Sequence, residues 1–215
     1  MANRIKVITV TSDLENQGFH CLIASLQKFG WDYDVLKVEW RGFGTKIIEV
    51  YYHLKNHPEI EQFVFCDAND VVVLGTEEEF AKKVRGLDGP LFSTERGCWP
   101  DEKLRDNYPT QYDHGFNFLN SGLYYYQADQ FIEMVEVGQP TYVMDDQRWF
   151  TRLYLLERNI ILDNNCEVLQ CYSFIQEDDF GYDNNRLKNL KTGTQPIFVH
   201  GNGRTDLTKV YELLK

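Results

Sequence analysis

The sequence predicts an α/β fold: one domain, residues 1–215, around a mostly parallel central sheet. Three observations predict it. Short apolar runs such as Phe63 to Cys66 and Pro196 to Val199 recur along the chain and suit strands covered on both faces. Stretches of helical periodicity lie between them, opened by capping residues or closed by Gly. Polar residues gather where the apolar runs stop, at the carboxyl ends where open α/β sheets bind their ligands.

Arg4 to Thr11 alternates and then runs apolar, a first strand closed by the turn cluster Thr11-Ser12-Asp13. Leu14 to Phe29 carries Phe19, Leu22, Ile23 and Leu26 at helical spacing and stops at Gly30. Tyr33 to Val38 is a second strand, running out at Glu39-Trp40. Arg41-Gly42-Phe43-Gly44-Thr45-Lys46 then leads into a helix from Ile47 to Asn56. Its glycines and Lys46 resemble a phosphate cradle but lack the Gly-x-x-x-x-Gly-Lys-Ser/Thr pattern, so a surface turn and a diphosphate contact both fit. Thr76-Glu77-Glu78-Glu79 opens a helix to Val84 as a capping box would, and Leu91 to Thr94 is a short strand. Leu123 to Tyr126 is an aromatic strand, and the preceding Asn120-Ser121-Gly122 argues for close backbone approach to something bound. Helices are expected from Gln127 to Val137 and from Asp145 onward. Residues 163–195 are polar and carry no clear period, and Pro196 to Val199 is a last strand ending at His200.

The central strand carries the strongest chemical signal. Phe63 to Cys66 ends in Asp67, with Asp70 three residues on and no Lys or Arg between them. Two such carboxylates repel unless a cation sits among them, and magnesium or manganese shared with substrate phosphates is the usual one. A plain strand-ending turn also accounts for the residues. His200, bracketed by Gly201 and Gly203, is either a structural histidine or a metal ligand. Trp99, in the loop Glu95 to Pro100, is either core or a stacking platform. Asp145 and Asp146 are either the acidic first turn that a helix dipole favours or part of a site.

Composition narrows the partners. With 22 Lys and Arg against 33 Asp and Glu, the chain has a net charge of −11. That argues against the clustered basic face of a nucleic-acid binder, and it suits either a cationic macromolecule or, more commonly, a plain solvated acidic face. No apolar run reaches membrane-spanning length, and Met-Ala-Asn-Arg-Ile-Lys runs into a strand without a signal peptide. Five cysteines without Cys-x-x-Cys spacing indicate reduced thiols and a cytoplasmic protein; a bridge between Cys166 and Cys171 is conceivable but not required.

FCDANDVVVLG, LFSTERGCWPDE, FLNSGLYYY, DDQRWFTRLY and PIFVHGNG stand here in order. Together with VITVTS and EWRGFGTK they resemble the glycosyltransferase domain of the procollagen lysyl hydroxylases over nearly the whole chain. The resemblance implies a GT-A fold, a Rossmann-like domain that binds a UDP-sugar through manganese (or magnesium). It implies transfer of glucose from UDP-glucose to galactosyl-hydroxylysine of collagen or collagen-like chains, with retention of configuration. Asp67, Asp70 and His200 would hold the metal. Thr11, Trp40, Lys46, Asn69, Asn202 and Gly203 would contact the nucleotide sugar, with Trp99 and Asn120 on the sugar and acceptor side. Asp145 and Asp146 would serve the chemistry, Asp146 nearer the sugar. UDP-galactose as donor, another glycan or hydroxylysine itself as acceptor, and a non-catalytic sugar-nucleotide-binding module remain open alternatives. The chain departs from the family in two places. The acidic run before Gln147 is shorter, and Arg204-Thr205-Asp206 stands where the family has Pro-Thr-Lys, so the position of the family's basic diphosphate contact is acidic here unless Arg204 substitutes for it. A free-standing transferase, as in a microbe or virus, is expected.

Overall fold

The computed structural model describes residues 4–214 except 158, 177, 184, 185 and 204. The first half comprises β1 (Lys6–Thr11), α1 (Gln17–Lys28), β2 (Tyr33–Lys37), α2 (Thr45–Asn56), β3 (Gln62–Cys66), β4 (Val71–Val73), α3 (Glu77–Val84) and β5 (Leu91–Glu95). The second comprises β6 (Phe118–Gln127), α4 (Ala128–Gly138), α5 (Asp146–Glu157), β7 (Ile161–Leu162), β8 (Leu169–Cys171), β9 (Phe180–Asp183), β10 (Arg186–Asn189), β11 (Phe198–His200) and α6 (Thr208–Tyr211). The main sheet runs β2-β1-β3-β6-β5-β8-β11-β4, with β7 paired to β5, while β9 and β10 form a separate hairpin.

The pairings β1–β2, β1–β3, β5–β7, β5–β8 and β8–β11 are parallel. β6 runs against both of its neighbours, and β4 runs against β11. Side chains alternate across the sheet as a two-residue period requires. Phe63 and Phe65 pack with Ile47, Val50, Phe131 and Phe150 on one face. Val64 and Cys66 pack with Leu22, Leu26, Phe80 and Val84 on the other. Helices thus cover both faces and leave the strand ends to carry the polar residues.

Several boundaries differ from the sequence reading for local reasons. α1 starts at Gln17 because the Asn16 side chain accepts from Gly18 N and caps it. α2 begins two residues early, at Thr45, which puts Lys46 in its first turn rather than in a loop. Asn120-Ser121-Gly122 does not precede the aromatic strand but lies inside it. Phe92 pairs with Tyr124 and Ser93 with Asn120, so Ser121, Gly122 and Leu123 are extra residues on β6. Ser93 Oγ fills this bulge by donating to the carbonyls of Asn120 and Leu123 at 3.3 and 3.1 Å. A bulge of this kind re-aims side chains, and here it leaves Ser121 and Gly122 without partners on β5 or β3. The stretch without period contains β8 and the β9–β10 hairpin. All five cysteines are free thiols, so Cys166 and Cys171 are not bridged.

Candidate active site

β3 and β11 deliver three side chains to one point. Asp67 follows β3, Asp70 lies in the turn before β4, and His200 ends β11. Among the described residues these three place one possible ligand atom each within 4.8 Å of one another. His200 Nε2 lies 3.6 Å from Asp67 Oδ2 and 3.4 Å from Asp70 Oδ1. Its Nδ1 lies 3.0 Å from Asn120 Oδ1. A proton on Nδ1 donated to that oxygen would leave the Nε2 lone pair aimed at the two carboxylates, an arrangement typical of ligating histidines. Gly122 allows this closeness, since a Cβ there would stand 2.1 Å from His200 Cε1 and 2.7 Å from Asp67 Oδ2.

The electrostatics point the same way. Burial opposes a charge on His200, yet Asp70, facing it across a hydrogen bond, holds the imidazole well above its ordinary value. Burial likewise opposes the charge on Asp70, and His200 outweighs it and draws the carboxyl below its ordinary value. A proton on His200 would offset one of the two carboxylate charges, which is why Asp70 favours it. Two carboxylates and one imidazole are a donor set that fits a divalent cation, and diphosphate oxygens would supply its remaining positions.

Lys46 ties this cluster to the helix that starts at Asp146. Its Nζ lies 2.9 Å from Asp67 Oδ1 and 2.7 Å from Asp146 Oδ2. A cation in the first turn of a helix works against the macrodipole, and burial works against it again. The Asp146 and Asp67 carboxylates outweigh burial and hold the ammonium above its ordinary value. Ser121 Oγ donates to the same Asp146 oxygen at 3.0 Å. Asp145 is used differently: its Oδ1 accepts from Arg148 N at 2.8 Å, capping α5. The adjacent carboxylates therefore face different surroundings, as neighbours at a helix start must.

Beneath lies a buried polar floor that the sequence did not reveal. Glu95, at the end of β5, is 5% exposed. Its Oε1 accepts from Asn120 Nδ2 at 3.0 Å and Gln147 Nε2 at 2.7 Å, and its Oε2 accepts from Asn202 Nδ2 at 2.9 Å. Burial outweighs those donors and pushes its carboxyl above the ordinary range. Asn120 also accepts from Gly122 N, and Ser121 N donates to Gln147 Oε1 at 3.2 Å. One network thus fixes the rotamers of Asn120, Gln147 and Asn202. Glu95 and Gln147 stand within LFSTERGCWPDE and DDQRWFTRLY, yet the sequence singles out neither, because nothing local marks a residue as part of a buried network.

Two cavities open on either side of the cluster. The smaller, about 350 Å³, is lined by Thr11, Trp40 and Asn69. The larger, about 480 Å³, is lined by Glu95, Trp99, Asn120, Asp145, Asp146, Asn202 and Gly203. Phe43, Lys46, Asp67 and Asp70 line both and form the wall between them. The expected nucleotide contacts therefore separate: Thr11, Trp40 and Asn69 share one cavity, while Asn202 and Gly203 border the other. Trp99 is 66% exposed, so it is not a core residue. The acidic departure Asp206 is exposed, and its Oδ1 accepts from Thr208 N at 2.8 Å beside the start of α6; Arg204 lies outside the described residues.

Comparison with known proteins agrees along the whole chain. The family model described as the PLOD GT domain matches residues 1–211. The human multifunctional procollagen lysine hydroxylase and glycosyltransferase LH3 is 31% identical over 97% of this chain. An uncharacterized protein of Acanthamoeba polyphaga mimivirus is 34% identical over 75% of it. The chain spans about a third of the length of these relatives, 31% and 36% respectively. Among solved structures, a glycosyltransferase involved in glycosylation of the PBCV-1 major capsid superposes with a TM-score of 0.63 at 12% identity, covering 98% of each chain.

Proposed function

The chain belongs to the PLOD GT domain family of glycosyltransferases and has their GT-A fold, and from that premise we propose that it moves glucose from UDP-glucose to galactosyl-hydroxylysine of collagen-like chains, with retention. The observation that carries this reading is the wall shared by the two cavities. A diphosphate lying across Lys46, Asp67 and Asp70 would leave its nucleoside in the cavity of Thr11, Trp40 and Asn69. It would project its sugar toward Asp146.

A divalent cation bound by Asp67, Asp70 and His200 would neutralise charge on the departing diphosphate, a Lewis-acid role worth several kcal/mol. Lys46 adds a second positive charge beside the same leaving group. Lys46 and Ser121 both meet Asp146 at Oδ2, and its Oδ1 is the oxygen assigned to a bound sugar. A carboxylate held there supports the positive charge that develops on the sugar ring, with no covalent intermediate needed. The acceptor hydroxyl enters on the same face, and its proton passes to the departing phosphate oxygen. Trp40 and Phe43, both exposed and meeting edge to face at 5.9 Å, suit a nucleobase.

The test is UDP release from UDP-glucose and UDP-galactose, each with manganese and galactosyl-hydroxylysine peptide. Acceptor-dependent release with UDP-glucose and none in excess chelator is expected. Full activity in chelator, or release from UDP-galactose alone, would overturn the corresponding part of the reading. No helix among the described residues is long and apolar enough to cross a membrane.

A further inference from the structure

The rim of the larger cavity carries a residue that neither the metal cluster nor the polar floor explains. Phe174 lines that cavity, is 75% exposed, and has a backbone φ of 53°. A bulky aromatic is disfavoured in the left-handed region, and such outliers gather at ligand sites. The surroundings hold it there. Ser173, just before it, is bonded to Asn202 in both directions, its N–H donating at 3.2 Å and its Oγ accepting at 2.8 Å. Arg96 Nη1 donates to the Phe174 carbonyl at 3.0 Å while pairing with the buried Asp179. Gly97 lies under the ring, where a Cβ would come within 3.2 Å of Phe174 Cε2. The ring is therefore anchored through its backbone and from below, and is otherwise exposed at the cavity it borders.

We propose that Phe174 is a specificity-determining residue that, with Trp99, binds the pyranose ring already present on the acceptor by stacking on its apolar C–H face. This rests on the transferase reading above. Both aromatics are exposed on the cavity that also contains the Asp145 and Asp146 carboxylates. A sugar offers an apolar face to the rings and hydroxyl donors to the carboxylates. A proline ring of a peptide would stack but would leave those carboxylates without donors, and an unglycosylated hydroxylysine has no ring to stack.

The experiment measures binding of galactosyl-hydroxylysine and of hydroxylysine to the full chain loaded with manganese and UDP, beside UDP-glucose hydrolysis by water. Phe174→Ala and Phe174→Gly are expected to weaken galactosyl-hydroxylysine binding about fivefold to tenfold, as loss of an aromatic contact does. Phe174→Tyr should stay within about twofold of wild type, because it keeps the ring face. Hydroxylysine binding and donor hydrolysis should not change. Phe174→Gly also removes the disfavoured backbone, so its melting temperature should hold or rise, separating lost recognition from misfolding. Unchanged galactosyl-hydroxylysine affinity in the Ala and Gly variants would overturn the proposal. So would a wild type that hydrolyses UDP-glucose but binds hydroxylysine and its galactosyl form alike. A wild type that never releases UDP would overturn the transferase reading instead, and this one with it.

Discussion

The two cavities share a wall but are built in opposite ways. The smaller is assembled from consecutive strand ends: Thr11 closing β1, Trp40 after β2, Asn69 after β3. Away from the shared wall, Thr11 Oγ1 accepts from Asp13 N only two residues away. The larger is knit by side chains far apart in sequence, such as Asn202 with Glu95 and Gln147 with Glu95. A cavity made of adjacent loops keeps its shape as long as the sheet does. One held by a single buried network depends on every member, because an unpaired buried polar group costs about 1–3 kcal/mol. Donor binding should therefore tolerate substitutions that abolish transfer.

The strongest way to break that comparison is through the wall itself. Asp70→Ala or His200→Ala should remove metal-stimulated turnover, by about a thousandfold or more, while the protein still melts cooperatively. Turnover that persists in either variant with chelator in excess would mean that the wall is not a metal site.

Within the larger cavity, the two adjacent carboxylates should separate by their surroundings. Asp146→Asn is expected to lower turnover by about two to three orders of magnitude with UDP-sugar binding retained. Asp145→Asn keeps a good capping residue and should cost less than tenfold in turnover, while Asp145→Ala should lose about 1 kcal/mol of stability. Equal kinetic effects in the two Asn variants would erase the distinction between them.

A smaller and graded effect is expected from pH. The folded-state value of His200 is raised above the ordinary imidazole value of 6.5. In the metal-free protein its protonated form therefore contributes stability that is full below about 6.5 and fades as pH climbs through the raised value. A metal must displace that proton, so manganese affinity should rise by up to about tenfold per pH unit over the same window. Calorimetry in buffers of different ionisation enthalpy would report one proton released; none released would show that His200 is not a ligand.

The smallest expected effect lies outside both cavities. At a net charge of −11 the protein should favour a cationic collagen-like acceptor over a neutral one of the same glycosylation. The advantage, expected to be severalfold, should shrink as salt rises toward physiological strength and beyond. Equal rates at low salt would remove charge from acceptor choice.

Much was legible in the sequence alone because its signals are local. The fold class followed from apolar runs alternating with helical periods, since burial on both sheet faces needs nothing more than side chains of the right kind at the right spacing. Asp67 and Asp70 stood out because two carboxylates at one strand end lack a local partner, and His200 because glycines bracket it. Tertiary structure decided what those signals left open. Lys46 reads as a loop lysine, yet α2 begins at Thr45 and carries it between Asp67 and Asp146, which are 79 residues apart in the chain. Glu95 reads as an ordinary strand-end acid, yet burial under three amides raises its carboxyl. Gly122 belongs to a run suggesting close approach, but only the bulge on β6 shows that His200 and Asp67 fill the missing Cβ's place. A hydrogen bond or ion pair between distant residues leaves no periodic trace in either segment. Its geometry exists only once the sheet has brought their strands together.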